Sequence, residues 1–105
     1  MPGSRSVNKT HRAKRDLSEI AAYYGEESLE LELRFLAAAE ESFERLAAIP
    51  DMGAKREYSR PDLRVLRLWP IPDFPRILIF YRRLDAGIEI VRVLRSSRDI
   101  EFLFS

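Results

Sequence analysis

The sequence predicts an α+β domain in which an N-terminal antiparallel helical hairpin packs on an antiparallel β-sheet, with a short N-terminal edge strand as an option. Three observations predict it. Apolar residues recur at helical spacing in two stretches between Ala13 and Ala47. After Pro50 and Gly53 the apolar period becomes that of strands. Three strand-like runs then follow, with turn residues between them.

The 105 residues suit one domain spanning 1–105. Residues 1–9 form a polar arm, although Ser6 to Thr10 can make the short edge strand. In the first helix Ala13, Leu17, Ile20, Ala21 and Tyr24 fall on one face, with Thr10 as N-cap and Gly25 as the stop. Ser28 caps the second helix, and Glu30 lies in its first turn near the positive end of the dipole. Leu29, Leu33, Leu36, Phe43, Leu46 and Ala47 are its expected buried stripe. Pro50 ends it, because the residue before a proline is pushed out of the α region. Leu31, Phe35 and Ala38 give this helix more apolar surface than one stripe needs. That surplus is read either as a wide core-facing helix or as a face that docks a partner.

Leu63 to Trp69 is the first predicted strand. Pro70, Pro72 and Pro75 interrupt it, since none can donate to a central ladder. Arg76 to Arg82 and Ile88 to Leu94 are the second and third, joined by a turn at Asp85-Ala86-Gly87. The three form an antiparallel meander. Both faces of the last two runs hold apolar residues, so the sheet must be covered on both sides. The hairpin covers one, and Ile100, Phe102, Leu103 and Phe104 are expected to pack as well.

Composition excludes several classes of function. The chain has no Cys, which removes disulfides, thiolate zinc sites and a cysteine nucleophile. It has one His, which removes multi-His metal sites. No phosphate loop, dinucleotide fingerprint, zinc-protease or serine-hydrolase motif occurs, and neither a cofactor nor a metal is expected. No apolar run is long enough for a membrane span, and no signal peptide opens the chain, so a soluble cytoplasmic protein is expected.

The net charge of +1 hides a division. Residues 1–15 carry five bases and no acid, and residues 16–53 carry ten acids against Arg34 and Arg45. Residues 54–105 carry eleven bases against seven acids. Arginine outnumbers lysine 15 to 3, and its fork fits phosphate and carboxylate. The strand arginines Arg64, Arg67, Arg76, Arg82, Arg92, Arg95 and Arg98 are read either as a solvated, salt-bridged surface or as a site for a polyanion or acidic partner. By strand alternation Arg92 shares a face with Ile88, Ile90 and Leu94. A charge there must pair with an acid or line a groove, and Asp99 and Glu101 are nearby candidates.

The order of these motifs resembles the RelE/ParE superfamily of toxins from type II toxin–antitoxin modules, more closely its ParE-like branch. The resemblance is carried by the AKRDLSEIAAYY helix, the LAAIPDMG break, and the DLRVLRL, RILIFYR and GIEIVRVLRSSRDIEFLF segments, over about residues 7–104. It implies a helical hairpin on a twisted antiparallel sheet, an antitoxin that neutralises the toxin, and DNA gyrase as target. It also implies antitoxin contacts at Leu31, Phe35, Ala38, Arg64 and Arg76, and target contacts at Arg76, Tyr81, Arg92, Arg95 and Arg98. The alternative it implies is a RelE-like endoribonuclease acting on mRNA at the ribosome, with Arg64, Arg67, Arg76 and Arg98 as the catalytic group. A third is a family member that only binds protein. Where the ParE-like pattern usually has His, this chain has Arg95, and where such nucleases often carry a C-terminal Tyr it has Phe102 or Phe104. Both departures favour binding over cutting, because arginine is a poor general base.

Overall fold

Two local caps start the two helices where the sequence places them. In the computed structural model, which describes residues 6–96, the Thr10 hydroxyl accepts from the Ala13 amide at 3.0 Å and opens α1, His11–Gly25. The Ser28 hydroxyl accepts from the Leu31 amide at 3.1 Å and opens α2, Leu29–Ala48. Glu30 and Glu32 lie in the first turn of α2 and Arg45 in its last, each complementing the helix dipole. Past Ile49 the chain makes a 3-10 turn over Pro50–Met52.

The sheet has five strands: β1 Ser6–Lys9, β2 Ala54–Lys55, β3 Arg67–Ile71, β4 Phe74–Leu84 and β5 Gly87–Arg95. Their spatial order is β1-β5-β4-β3-β2. β1 runs parallel to β5, and every other pair is antiparallel. The edge strand at Ser6 is therefore real. It lies so close to β5 that a Cβ on Gly87 would collide with the Ser6 carbonyl oxygen.

The first strand of the meander departs from its expected place. Pro61–Leu63 is a 3-10 turn, and β3 begins only at Arg67 and runs through Pro70. β2 pairs with Arg67 and Leu68 alone, so Pro70 stands at a sheet edge, where proline is tolerated. Pro72 and Asp73 then turn the chain, Asp73 taking φ 71° as Asp and Asn can.

The stripe that α2 buries also differs from expectation. Phe35, Ala39, Ser42, Phe43, Leu46 and Ala47 face the core. Leu29 and Leu33 point outward, at 67% and 55% exposure. At about 100° per residue the buried face is turned by roughly 60° from the expected one. Ser42 concealed it, being a polar residue in the middle of the stripe. Its hydroxyl donates to the Ala38 carbonyl at 2.9 Å, which lets it be buried. Phe35 meets Tyr24 and Phe74 at ring-centroid distances of 5.4 Å each, tying both helices to β4.

β4 alternates from Ile77 to Tyr81. Ile77, Ile79 and Tyr81 face the helices, and Leu78 and Phe80 face away. β5 does not, because its register slips between the pairs Tyr81–Ile90 and Phe80–Arg92, leaving Val91 as a bulge. Val93 therefore joins Ile88 and Ile90 on the helix side, and Leu94 packs away from it. Arg92 thus shares a face with Leu94 but not with Ile88 and Ile90. The face away from the helices is covered by Tyr58, Leu63 and Leu66 of the segment before β3. Ile100, Phe102, Leu103 and Phe104, expected to help there, lie outside the described residues.

Candidate target-binding surface

β1 accompanies β5 only as far as the Lys9–Ile90 pair. Beyond it the start of α1 takes over the edge of β5. Thr10 Oγ1 donates to the Val91 carbonyl at 2.8 Å, and Asp16 Oδ2 accepts from the Val93 amide at 3.0 Å. Asp16 is also an acid that pairs with Arg92, while the expected candidates Asp99 and Glu101 lie outside the described residues. Arg92 Nε and Nη2 donate to its two oxygens at 2.8 and 3.0 Å. The two side chains are 12% and 8% exposed, so this is a nearly buried, two-pronged ion pair. Arg92 satisfies both readings of the sequence at once, since it pairs with an acid and also lines a groove. That groove, about 480 Å³, runs between α1 and β5 past Glu19, Ile20 and Arg95. Arg95 is exposed, and its guanidinium lies 4.7 Å from the centroid of the Tyr23 ring, a cation–π pair.

Tyr81 belongs elsewhere. It is fully buried, its hydroxyl donating to the Pro50 carbonyl and accepting from the Gly53 amide, both at 2.8 Å. Burial pushes its phenol above the usual tyrosine value. The side chain pins the break after α2 and presents nothing to a target, which corrects its expected role as a contact. Gly53 must be glycine for the same reason, since a Cβ would lie 2.5 Å from that hydroxyl and 2.9 Å from the Leu68 carbonyl.

Nor do the arginines expected to form a catalytic group converge. Arg64 Nε donates to the Tyr58 carbonyl at 2.7 Å. Arg67 Nη1 donates to the Gly53 and Asp51 carbonyls at 2.7 and 3.3 Å. Arg64 thus clamps the segment before β3, and Arg67 clamps the break after α2. Arg76 is exposed near the opposite end of β4, five positions before the Tyr81 that pairs with Arg67, or about 17 Å along a strand. Arg98 lies outside the described residues.

On α2, Phe35 is core and offers no docking surface in this conformation, while Leu31 and Ala38 pack partly against that core. The outward apolar row is Leu29 and Leu33, with Tyr23 of α1 also exposed. The apolar spacing of Leu29 and Leu33 was visible in the sequence, but the direction it faces was not. Asp16 was missed as a partner of Arg92. Its signal was an acid at position i+3 from Ala13, inside the apolar phase of α1. Among the described residues no three potential metal ligands gather, and no helix is long and apolar enough to cross a membrane.

A family model described as the ParE toxin of the type II toxin–antitoxin system parDE matches residues 7–100. The chain belongs to the ParE toxin family. Membership of this ParE family implies an antitoxin as partner. A solved structure of the chromosomal ParDE TA system from P. aeruginosa shares the fold, with a TM-score of 0.71 and 22% identity over 89% of this chain and 97% of that one. A comparison with curated proteins gives no match. The ParE fold accounts for the hairpin on the sheet, and the arginines just described are what this ParE chain displays on it.

Proposed function

We propose that this ParE-family toxin acts in the cytoplasm by binding and inhibiting DNA gyrase, and that a cognate antitoxin neutralises it. One observation carries the choice of binding over cutting: Arg64 and Arg67 are engaged by backbone carbonyls, and Arg76 stands far along the sheet from them. Cleavage of RNA at the 2′-hydroxyl needs a base, an acid and a charge clamp converging on one phosphate. Binding a protein target asks only for an exposed and rigid surface. Arg95 on Tyr23 beside the α1–β5 groove, and Arg76 at the same end of the sheet, supply it, as the Ser96 amide donates to the Arg76 carbonyl at 2.6 Å. Arg92, held by Asp16, positions this edge. The antitoxin covers the outward row of α2 at Leu29 and Leu33, with Leu31 and Ala38 on its flank and Arg76 as a cationic anchor.

The experiment is a supercoiling assay with purified gyrase and purified toxin, alongside ribosome-dependent mRNA cleavage. Loss of supercoiling, reversed by the antitoxin, is expected. Intact supercoiling together with cut mRNA overturns the reading.

A further inference from the structure

A second group of cations lies at the other end of the sheet, unused by the reading above. Asp51, Lys55, Val65, Arg67, Arg82 and Arg83 line a groove of about 380 Å³. Four of these are cations and one is an acid. The Asp51 carboxylate serves two guanidinium groups at once, Arg83 at 3.2 Å and Arg67 at 3.4 Å. Arg82 Nε lies 2.7 Å from Glu89, and Lys55 has no ion pair among the described residues. Counting Glu89, four cations face two acids, and a surplus of two positive charges remains. The surplus is exposed on Lys55, Arg82 and Arg83. Arg67 is already fixed by the Asp51 and Gly53 carbonyls, so less side-chain freedom is left to lose on binding.

The lining also says what kind of anion fits. Val65 is its one apolar side chain and no aromatic ring is present. A peptide interface is anchored by apolar or aromatic side chains in desolvated pockets, and this groove offers none. A platform for unstacked bases needs rings, which are also missing. A row of phosphodiesters needs neither, only positive charge and donors in fork geometry. We propose that this groove binds the phosphodiester backbone of a nucleic acid, without reading its sequence.

The test uses the purified toxin alone, so its outcome is independent of whether gyrase is the target. Fluorescence anisotropy follows binding of a short random-sequence DNA duplex and of a single-stranded RNA of the same length, between about 50 and 200 mM salt. Binding is expected to weaken with salt with a log–log slope of about −2 on the duplex, roughly a tenfold loss over that range. Lys55→Gln and Arg82→Gln should each flatten the slope by about one, and Lys55→Glu/Arg82→Glu should abolish binding while circular dichroism reports an intact fold. Tighter binding of the duplex identifies DNA as the source of the phosphates, and tighter binding of the single strand identifies RNA; either supports the site. Absence of salt-dependent binding by the unaltered toxin overturns the proposal. So does unchanged binding by the two Gln variants, or displacement of the DNA by polyglutamate at equal charge concentration, which would mark a groove for acidic peptide.

Discussion

Arg92 reaches Asp16 across 76 positions of chain and closes on it with two hydrogen bonds, 2.8 and 3.0 Å long. The pair joins the first helix to the last described strand where β1 no longer covers that strand. Asp16→Ala takes two charged hydrogen bonds from a nearly buried guanidinium and one from the Val93 amide, and should cost about 1.5–3 kcal/mol in urea unfolding. The double variant Asp16→Ala/Arg92→Ala should lose clearly less than the sum of the two single changes, because the interaction between the two side chains is then removed only once. Additive losses would mean that the two side chains act separately.

Tyr81 gives the fold an alkaline limit. Its phenol is held above the usual value by burial, so the folded state keeps a proton that the unfolded state releases above about pH 10. This contribution is fully present below that pH and is lost as pH rises toward the folded-state value. Urea unfolding measured at rising alkaline pH should show a decline that Tyr81→Phe flattens. At neutral pH Tyr81→Phe should itself cost about 1–3 kcal/mol, since the Gly53 amide and Pro50 carbonyl lose their partner.

Two positions on α2 separate core from docking surface. Phe35→Ala should destabilise the toxin by about 3–5 kcal/mol. Leu29→Asp and Leu33→Asp should stay within about 0.5 kcal/mol of the unaltered protein, as both side chains are mostly in water. The same two changes should weaken the complex with the antitoxin at least tenfold in titration calorimetry. Unchanged affinity would move the antitoxin off this row.

Arg76→Ala/Arg95→Ala should relieve growth arrest and raise the toxin needed to halt supercoiling by roughly tenfold or more, about 1.4 kcal/mol of binding. Its thermal midpoint should barely move, because Arg76 is exposed and has no ion pair among the described residues, and an exposed cation–π pair is worth about 0.5–1 kcal/mol. Full toxicity in this variant would remove both residues from the target surface.

The parts legible in the sequence were those set by neighbours in the chain. Thr10, Ser28 and Pro50 fix the helix ends through residues within three or four positions, and the helical and strand periods gave the α+β architecture. What stayed hidden depends on residues far apart. The slip at Val91 appears only when β5 is laid against β4, and without it alternation puts Arg92 on the wrong face. The outward turn of Leu29 and Leu33 depends on Ser42 finding the Ala38 carbonyl. Tyr81, which the resemblance gives as a target contact, is held in the core by the loop at Pro50 and Gly53 closing over its hydroxyl. Among the candidate site residues, Arg95 stands at an exposed position, while Phe35 and Tyr81 proved to be packing residues.

The position of β5 sets the order in which the molecule can assemble. It is the last described strand to be synthesised, yet it lies between β1 and β4 and is the strand on which α1 rests. Until it has been made, the N-terminal strand has no neighbour and the hairpin lacks the floor that fixes its edge. Such long-range closure is slow compared with local helix formation. Folding must therefore wait for nearly the whole chain, and a toxin truncated before Gly87 on the ribosome should be an inert, protease-sensitive fragment rather than a partly active one.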